Sequence, residues 1–505
     1  MTTHNAADYE SRLVEAKRLD ADARSKTGFM GHPQGLITLF NLELWERFSY
    51  LGFQAILALY FADSVANGGL GLSETTSSSV VAAYGALAYL LAIAGAWIAD
   101  RVSGTNMAVM WGAIIIASGH IFMGLPAAWA TWIGLGLIIV GTGLLKPNVS
   151  TMVGELYSSG DRRRDAGFAI YYAGINIGAF LGPIIAGWLG QNIGWHYGFL
   201  AAAVGMILGL VQYIIGSKKV AGRARSVIIR EAFEPNRNFW RTIGLVLAVV
   251  VAGATFAMAS HQTLAGLINA VTLATAVVPV VFLVWMYRSR RTTDSERRNI
   301  LPFALLLIAL VAYNLTYFQT GNTLNFIALR RTDNTIGSWS YPSTWYISLT
   351  AVVEIALGPA LAWLWAKMGS RQPHVAAKVG LGTIFGGIAF LVVAIGGLTT
   401  VDGALIVSGW LIGCYIFLGV GDLTLQTSGM SATTKLAPKA FASQTMAVWF
   451  AAMALSQGIQ AQIVKAFRYE TMATYFGVQG LVIIGYGIFL ISLTPWMRKR
   501  MHSVD

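Results

Sequence analysis

Residues 41–54, Asn-Leu-Glu-Leu-Trp-Glu-Arg-Phe-Ser-Tyr-Leu-Gly-Phe-Gln, put two acids and a base inside an apolar run that covers about 35–61. At about 20 residues per span, that run is long enough to cross a bilayer. Glu43, Arg47, Tyr50 and Gln54 follow one another at steps of four, three and four, so a helix carries them on one face, with Glu46 beside the stripe. Ionisable side chains at the centre of a spanning helix cost about 2.5–3.5 kcal/mol each on insertion scales, and are rare there unless used. We therefore favour a substrate or proton pathway over a salt bridge that only glues helices.

The rest of the chain agrees with a membrane setting. Its 505 residues are 55% hydrophobic and 11% charged, against about 25% charged in soluble domains. Mean hydropathy is +0.60, and apolar runs are spread along the whole length, which gives a polytopic membrane protein. The leading 30 or so residues are of mixed charge with no apolar signal core, so they read as a cytosolic tail. Cys414 is the one cysteine, which excludes an internal disulfide and leaves it a packing role.

The net charge of +12 would suggest nucleic acid in a soluble protein, but its placement argues otherwise. Basic residues cluster at 162–164, 218–241, 288–298 and 498–500, at alternate ends of the spans, whereas 62–74 and 124–130 hold no Lys or Arg. The positive-inside bias then puts both termini in the cytoplasm of a plasma-membrane protein, with the lipid bilayer and not nucleic acid as surroundings.

Spans are expected near 36–61, 76–99, 106–124, 129–153, 166–190 and 197–216, and again near 301–328, 343–367, 375–396, 401–427, 442–466 and 474–496. Six plus six is the layout of an all-α transporter of two bundles with its site between the halves. Two further apolar runs near 240–260 and 265–287 make fourteen helices. The division is a tail (1–35), an N-terminal bundle (36–216), a linker carrying the extra pair (217–300), a C-terminal bundle (301–496) and a second tail (497–505). The extra pair has almost no charge on its faces and is expected to pack on the periphery.

Five stretches now point to one family. Glu43-Leu-Trp-Glu46-Arg47-Phe48-Ser49-Tyr50-Leu51-Gly52 resembles the ExxERFxYYG motif of the proton-dependent oligopeptide transporters, a branch of the major facilitator superfamily. Gly95-Ala-Trp-Ile-Ala-Asp100-Arg101-Val-Ser-Gly104 is similar to the superfamily's conformational loop after the second helix. Gly141-Thr-Gly-Leu-Leu-Lys146-Pro147-Asn148 is similar to the fourth helix, and Phe168 to Phe180, with Asn176, to the fifth. Thr434-Lys435-Leu436-Ala437-Pro438 stands where the loop after the tenth helix should be.

The resemblance implies a proton-coupled symporter that imports di- and tripeptides by alternating access, works as a monomer, and needs no cofactor beyond the coupling proton. It implies no enzymatic activity. It also implies that Glu43, Glu46 and Arg47 form a proton-linked network with Lys146. The chemistry is sound, because burial disfavours a charged carboxylate while a nearby cation favours it. If Arg47 and Lys146 compete for the two acids and the substrate carboxylate, binding one partner changes the proton affinity of another, as coupling requires.

The chain departs from the family pattern at expected binding positions. Leu51 replaces the second motif tyrosine, and Gln54 stands where the family often has an arginine. In Tyr317-Phe318-Gln319-Thr320-Gly321-Asn322-Thr323-Leu324-Asn325, Phe318 stands for the glutamate of the seventh helix, and no acid occurs between 301 and 330. Losing one member of a buried ion pair costs about 3–5 kcal/mol, whereas losing both leaves the site neutral. In the tenth helix Gly421-Asp422 replaces Gly-Glu, followed by Gln426 and Thr427. Asp422 could pair with Lys146 to gate the cytoplasmic side. Glu354 sits on the eighth helix where aliphatic residues are expected. It either supplies the missing amine anchor or faces a polar neighbour and packs.

Gln319, Asn325 and Gln426 complete the candidate substrate contacts. Lys146 precedes Pro147, which suits a site-lining bend, though a lysine near a helix end also snorkels. Asn148 and Asn176 serve either substrate or helix–helix hydrogen bonding. Tyr50, Tyr84, Tyr89 and Trp449 line a cavity or pack. No metal-ligand spacing occurs, and His261 stands alone at a helix connection. Two other readings stay open: the same fold carrying a non-peptide or modified peptide, and a membrane enzyme or sensor, for which no catalytic or nucleotide motif speaks.

Overall fold

The computed structural model describes residues 3–158, 161, 163–231, 263–399, 404–436, 438 and 441–501. Its helices in chain order are α1 (Thr3–Ser25), α2 (Gly35–Ala62), α3 (Glu74–Ile98), α4 (Thr105–Met123), α5 (Ala128–Glu155), α6 (Arg164–Asn192), α7 (Trp195–Gly216) and α8 (Arg223–Glu231). They continue with α9 (Thr263–Arg288), α10 (Asp294–Tyr317), α11 (Thr323–Arg330), α12 (Ser348–Met368), α13 (Val375–Leu398), α14 (Ser408–Leu436), α15 (Ala442–Ile463), α16 (Met472–Ser492) and α17 (Thr494–Arg500). Twelve described helical spans are long and apolar enough to cross a membrane. The charged stripe dilutes α2, which is not among them although it has 28 residues. The expected run at 240–260, and His261, lie outside the described residues.

By contact the chain gathers into two units. The first comprises Met1–Ser49, Leu90–Gly178 and Leu200–Val271. Here α4 and α5 approach through paired glycines: a Cβ on Gly141 would stand 2.7 Å from the Gly112 carbonyl oxygen, and one on Gly134 2.7 Å from that of Gly119. Small residues let helix backbones close up where lipid supplies no hydrophobic drive. Gly141→Leu must therefore push the helices apart. It is expected to destabilise by about 1–3 kcal/mol, read as a lower Tm in detergent. The leading segment is not loose, because α1 docks on α8: Asp20 accepts from the backbone amides of Arg223 and Ala224, both at 3.0 Å. The π-type turn Ala99–Ser103 ends at Gly104 (φ 77°). It presents Asp100 to Arg225 at 2.8 Å, and Arg225 also reaches Glu155 at 3.2 Å.

The second unit comprises Tyr50–Tyr89, Ala179–Phe199 and Thr272–Asp505. Its α10 begins earlier than the expected 301, at a capping box in which Thr293 accepts from Glu296 N and Glu296 reaches back. The seventh span is not one helix. It breaks into a 3-10 turn at Phe318–Gly321 and restarts at Thr323, where the Asn322 side chain caps the Thr323 amide at 2.6 Å. The tenth span also differs, running Ser408–Leu436 and not 401–427. Ile406 and Val407 stay extended because they pair in parallel with Thr332 and Asp333. Leu436, expected in a loop, therefore ends the helix, and Ala437 lies outside the described residues.

Where α2 ends, this unit joins segments from both halves of the sequence. Asn325 Nδ2 donates to the Ala55 carbonyl at 2.6 Å, Ser79 to that of Ala461 at 3.0 Å, and Ser348 to that of Phe180 at 2.8 Å. Arg330 pairs with Glu74 at 3.2 Å, and Tyr469 also donates to Glu74.

Candidate functional site

The first unit assembles the charged stripe into a cluster. Glu43 is 3% and Glu46 1% exposed, since α2 is covered on that side: Gly178 of α6 lies against Arg47 and Phe48, and Gly205 of α7 against Phe48. Arg47 Nε donates to Glu43 Oε1 at 2.8 Å and stands 2.9 Å from Glu46 Oε2. One guanidinium thus holds two buried carboxylates. Lys146, half-buried on α5, lies within electrostatic reach of Arg47, Glu46 and Glu43. With two acids and two bases the cluster is formally neutral. Taking one proton leaves it at +1, a charge that a ligand carboxylate bound at the same time cancels, so proton and anionic ligand together add no net buried charge.

Tyr171 of α6 was not singled out from the sequence, yet its buried hydroxyl hydrogen-bonds Glu43. It sits inside the fifth-helix signature, one step before Tyr172, and only the packing of α6 on α2 brings it to Glu43. Asn148 donates to the carbonyl of Leu144 at 2.7 Å and, across to α3, to that of Gly95 at 3.4 Å. Asn176 is half-buried on α6.

The second unit holds the other candidates in separate groups. Gln54 lies on Gly321, where a Cβ would stand 3.1 Å from its Cγ and Nε2. The neutral Gln54 and Phe318 thus occupy a stretch packed without an ion pair among the described residues; Phe318 packs at a tilt 5.7 Å from Tyr89, which stacks 6.3 Å from Phe450. Tyr50 is buried, Tyr84 meets Phe53 edge-on at 5.7 Å, and Trp449 covers Gly429. Gln319 Nε2 donates to Gln479 Oε1 at 3.0 Å, and the Tyr475 hydroxyl donates to Gln319 Oε1 at 3.4 Å.

Glu354 and Asp422 are brought together. Val353 packs on Gly419 and Leu423 on Gly358, so α12 and α14 cross at the turns that carry the two acids, which interact electrostatically. The Tyr313 hydroxyl donates to the Leu418 carbonyl at 2.6 Å and hydrogen-bonds Asp422, as does Gln426. Among the described residues no cation pairs with either acid. The sequence offered Glu354 and Asp422 as separate exceptions, and only the helix crossing makes them neighbours.

Twelve described candidate spans, a broken seventh span and two acids buried on an apolar helix fit a multi-pass transporter of the major facilitator type. The POT family profile (PTR2) matches residues 106–482. A di-/tripeptide transporter of Lactococcus lactis subsp. cremoris is 36% identical over 95% of this chain and 99% of its own. The crystal structure of a peptide transporter POT in complex with sulfate superposes with a TM-score of 0.90 at 38% identity, covering 96% of this chain and 99% of that one. That of a POT family transporter in complex with a thioalcohol-conjugated peptide gives 0.88 at 34%, covering 95% and 99%. The chain belongs to the POT family.

Proposed function

We propose that this protein is a proton-coupled symporter that imports di- and tripeptides across the plasma membrane, with both termini in the cytoplasm. The observation that carries the reading is the buried cluster of Glu43, Glu46, Arg47, Lys146 and Tyr171. Glu43 and Glu46 take the proton, Arg47 and Lys146 set how firmly, and a peptide carboxylate competes for the same cations. The protein acts as a monomer, catalyses no covalent step and uses no cofactor other than the coupling proton.

The further candidate substrate contacts are Asn148 and Asn176 in the first unit, and Tyr50, Gln54, Tyr84, Tyr89, Gln319, Asn325, Gln426 and Trp449 in the second. The α-amine is held by Glu354, which has Asp422 beside it and no cation paired with it among the described residues. A hydrogen-bonded charge contact is worth about 1.5–3 kcal/mol. Glu354→Gln is therefore expected to weaken alanyl dipeptide uptake roughly 10- to 100-fold while leaving an N-acetylated dipeptide unchanged. Equal effects on both peptides would remove the anchor role.

The neutral pair Gln54 and Phe318, packed without an ion pair among the described residues, favours a second reading of the same mechanism with a modified peptide as cargo. Purified protein in liposomes under an imposed pH gradient, challenged with a competing peptide library, tests both. Proton-driven uptake of alanyl dipeptides is the expected result; driven uptake of a conjugate with dipeptides inert selects the second reading, and no flux of any solute contradicts both.

A further inference from the structure

The helix α9 has no part in the mechanism above, yet one end of it forms a groove of about 780 Å³ with α10 and α17. Arg288, Arg298 and Arg500 line the groove and all three are exposed. A fourth arginine there is already committed: Arg297 pairs with Asp294 at 3.0 Å and donates to the carbonyl of Tyr287 at 2.9 Å. Arg500 leans on the Trp496 ring, 4.8 Å from its centroid. No carboxylate pairs with Arg288, Arg298 or Arg500 among the described residues. The wall below them is apolar and open, with Val284 44%, Tyr287 54% and Leu301 53% exposed, on helices whose next turns are membrane-spanning.

Three like charges beside an apolar furrow at a membrane boundary fit one kind of occupant. Its head must be anionic, to relieve their mutual repulsion, and its body must be hydrocarbon, to cover the furrow. Basic pockets between spanning helices hold acidic lipid head groups on this principle. We infer that this groove binds an anionic glycerophospholipid, its phosphate between Arg288, Arg298 and Arg500 and an acyl chain along Val284 and Leu301. The inserted helix then serves as a lipid contact of the transporter.

Native mass spectrometry of the delipidated full chain, titrated with phosphatidylglycerol or phosphatidylcholine of identical acyl chains, tests this. Each arginine near an anionic head contributes enough that phosphatidylglycerol should bind roughly 10- to 100-fold more tightly. The triple variant Arg288→Ala, Arg298→Ala, Arg500→Ala should lose that preference, while Arg290→Ala with Arg291→Ala, outside the groove, should keep it. Phosphatidylglycerol with a photoreactive acyl chain needs no variant and should label α9 and α10. Equal binding of the two lipids, labelling confined to other helices, displacement by inorganic phosphate at lipid-matched concentration, or a dimer that buries this face would each overturn the inference.

Discussion

Glu46→Gln is expected to lower gradient-driven dipeptide uptake by roughly 100-fold and to leave counterflow exchange intact. Glu46 is 1% exposed and stands 2.9 Å from Arg47 Nε, so glutamine keeps the shape and a hydrogen-bonding group but cannot cycle between charged and neutral forms. Exchange of peptide for peptide needs no net proton movement and survives. Concentration against a gradient requires the coupling, and 100-fold is near the upper end of typical coupling between sites. Uptake that keeps its dependence on external pH in both Glu46→Gln and Glu43→Gln would refute the assignment of the proton to this pair.

Arg47→Met has a different and larger structural effect. The guanidinium is the common partner of Glu43 at 2.8 Å and Glu46 at 2.9 Å. Removing it leaves two buried carboxylates facing one another. Breaking a buried ion pair from one side costs about 3–5 kcal/mol, so the variant should melt well below the parent in detergent and transport nothing. Arg47→Lys should recover little, because an ammonium on a flexible stem lacks the planar fork that meets two acids. Adding Glu43→Gln to Arg47→Met should restore part of the lost stability, since one uncompensated charge is gone. A Tm unchanged in Arg47→Met would show that the pairing is not what holds this end of α2.

How much of this was readable in the residues depends on range. Glu43 and Arg47 are four apart, so a helix alone puts them in contact, and the stripe is visible before any fold is known. The spans were readable because twenty apolar residues in a row have few other uses. Tyr171 and the Glu354–Asp422 pair were not readable, since they depend on which helices cross and at what height. The break after Tyr317 left weak signals in Gly321 and Asn322, a flexible residue followed by a capping side chain, inside an otherwise continuous apolar run. The docking of α1 on α8 was hidden for another reason. That helix has almost no apolar face, and it is held by Asp20 on backbone amides and by small buried alanines at positions 16 and 23, which carry no periodic hydrophobic signature.

Gln54 and Phe318, where the resemblance leads us to expect an arginine and a glutamate, sit in one packed region. Both positions are neutral, one lies on a glycine and the other among aromatics. The end of the second unit where they sit is held by Asn325 on the Ala55 carbonyl and by Glu74 on Arg330.

The central claim is that peptide and proton move together. The direct measurement is proton entry into sealed liposomes containing the purified protein, with a trapped pH-sensitive dye and the membrane potential clamped. Adding an alanyl dipeptide outside, with no pH gradient imposed, should acidify the lumen at a rate that follows peptide uptake, and Glu46→Gln should show neither driven uptake nor acidification. Peptide entry at the parent rate with a constant luminal pH would contradict the account.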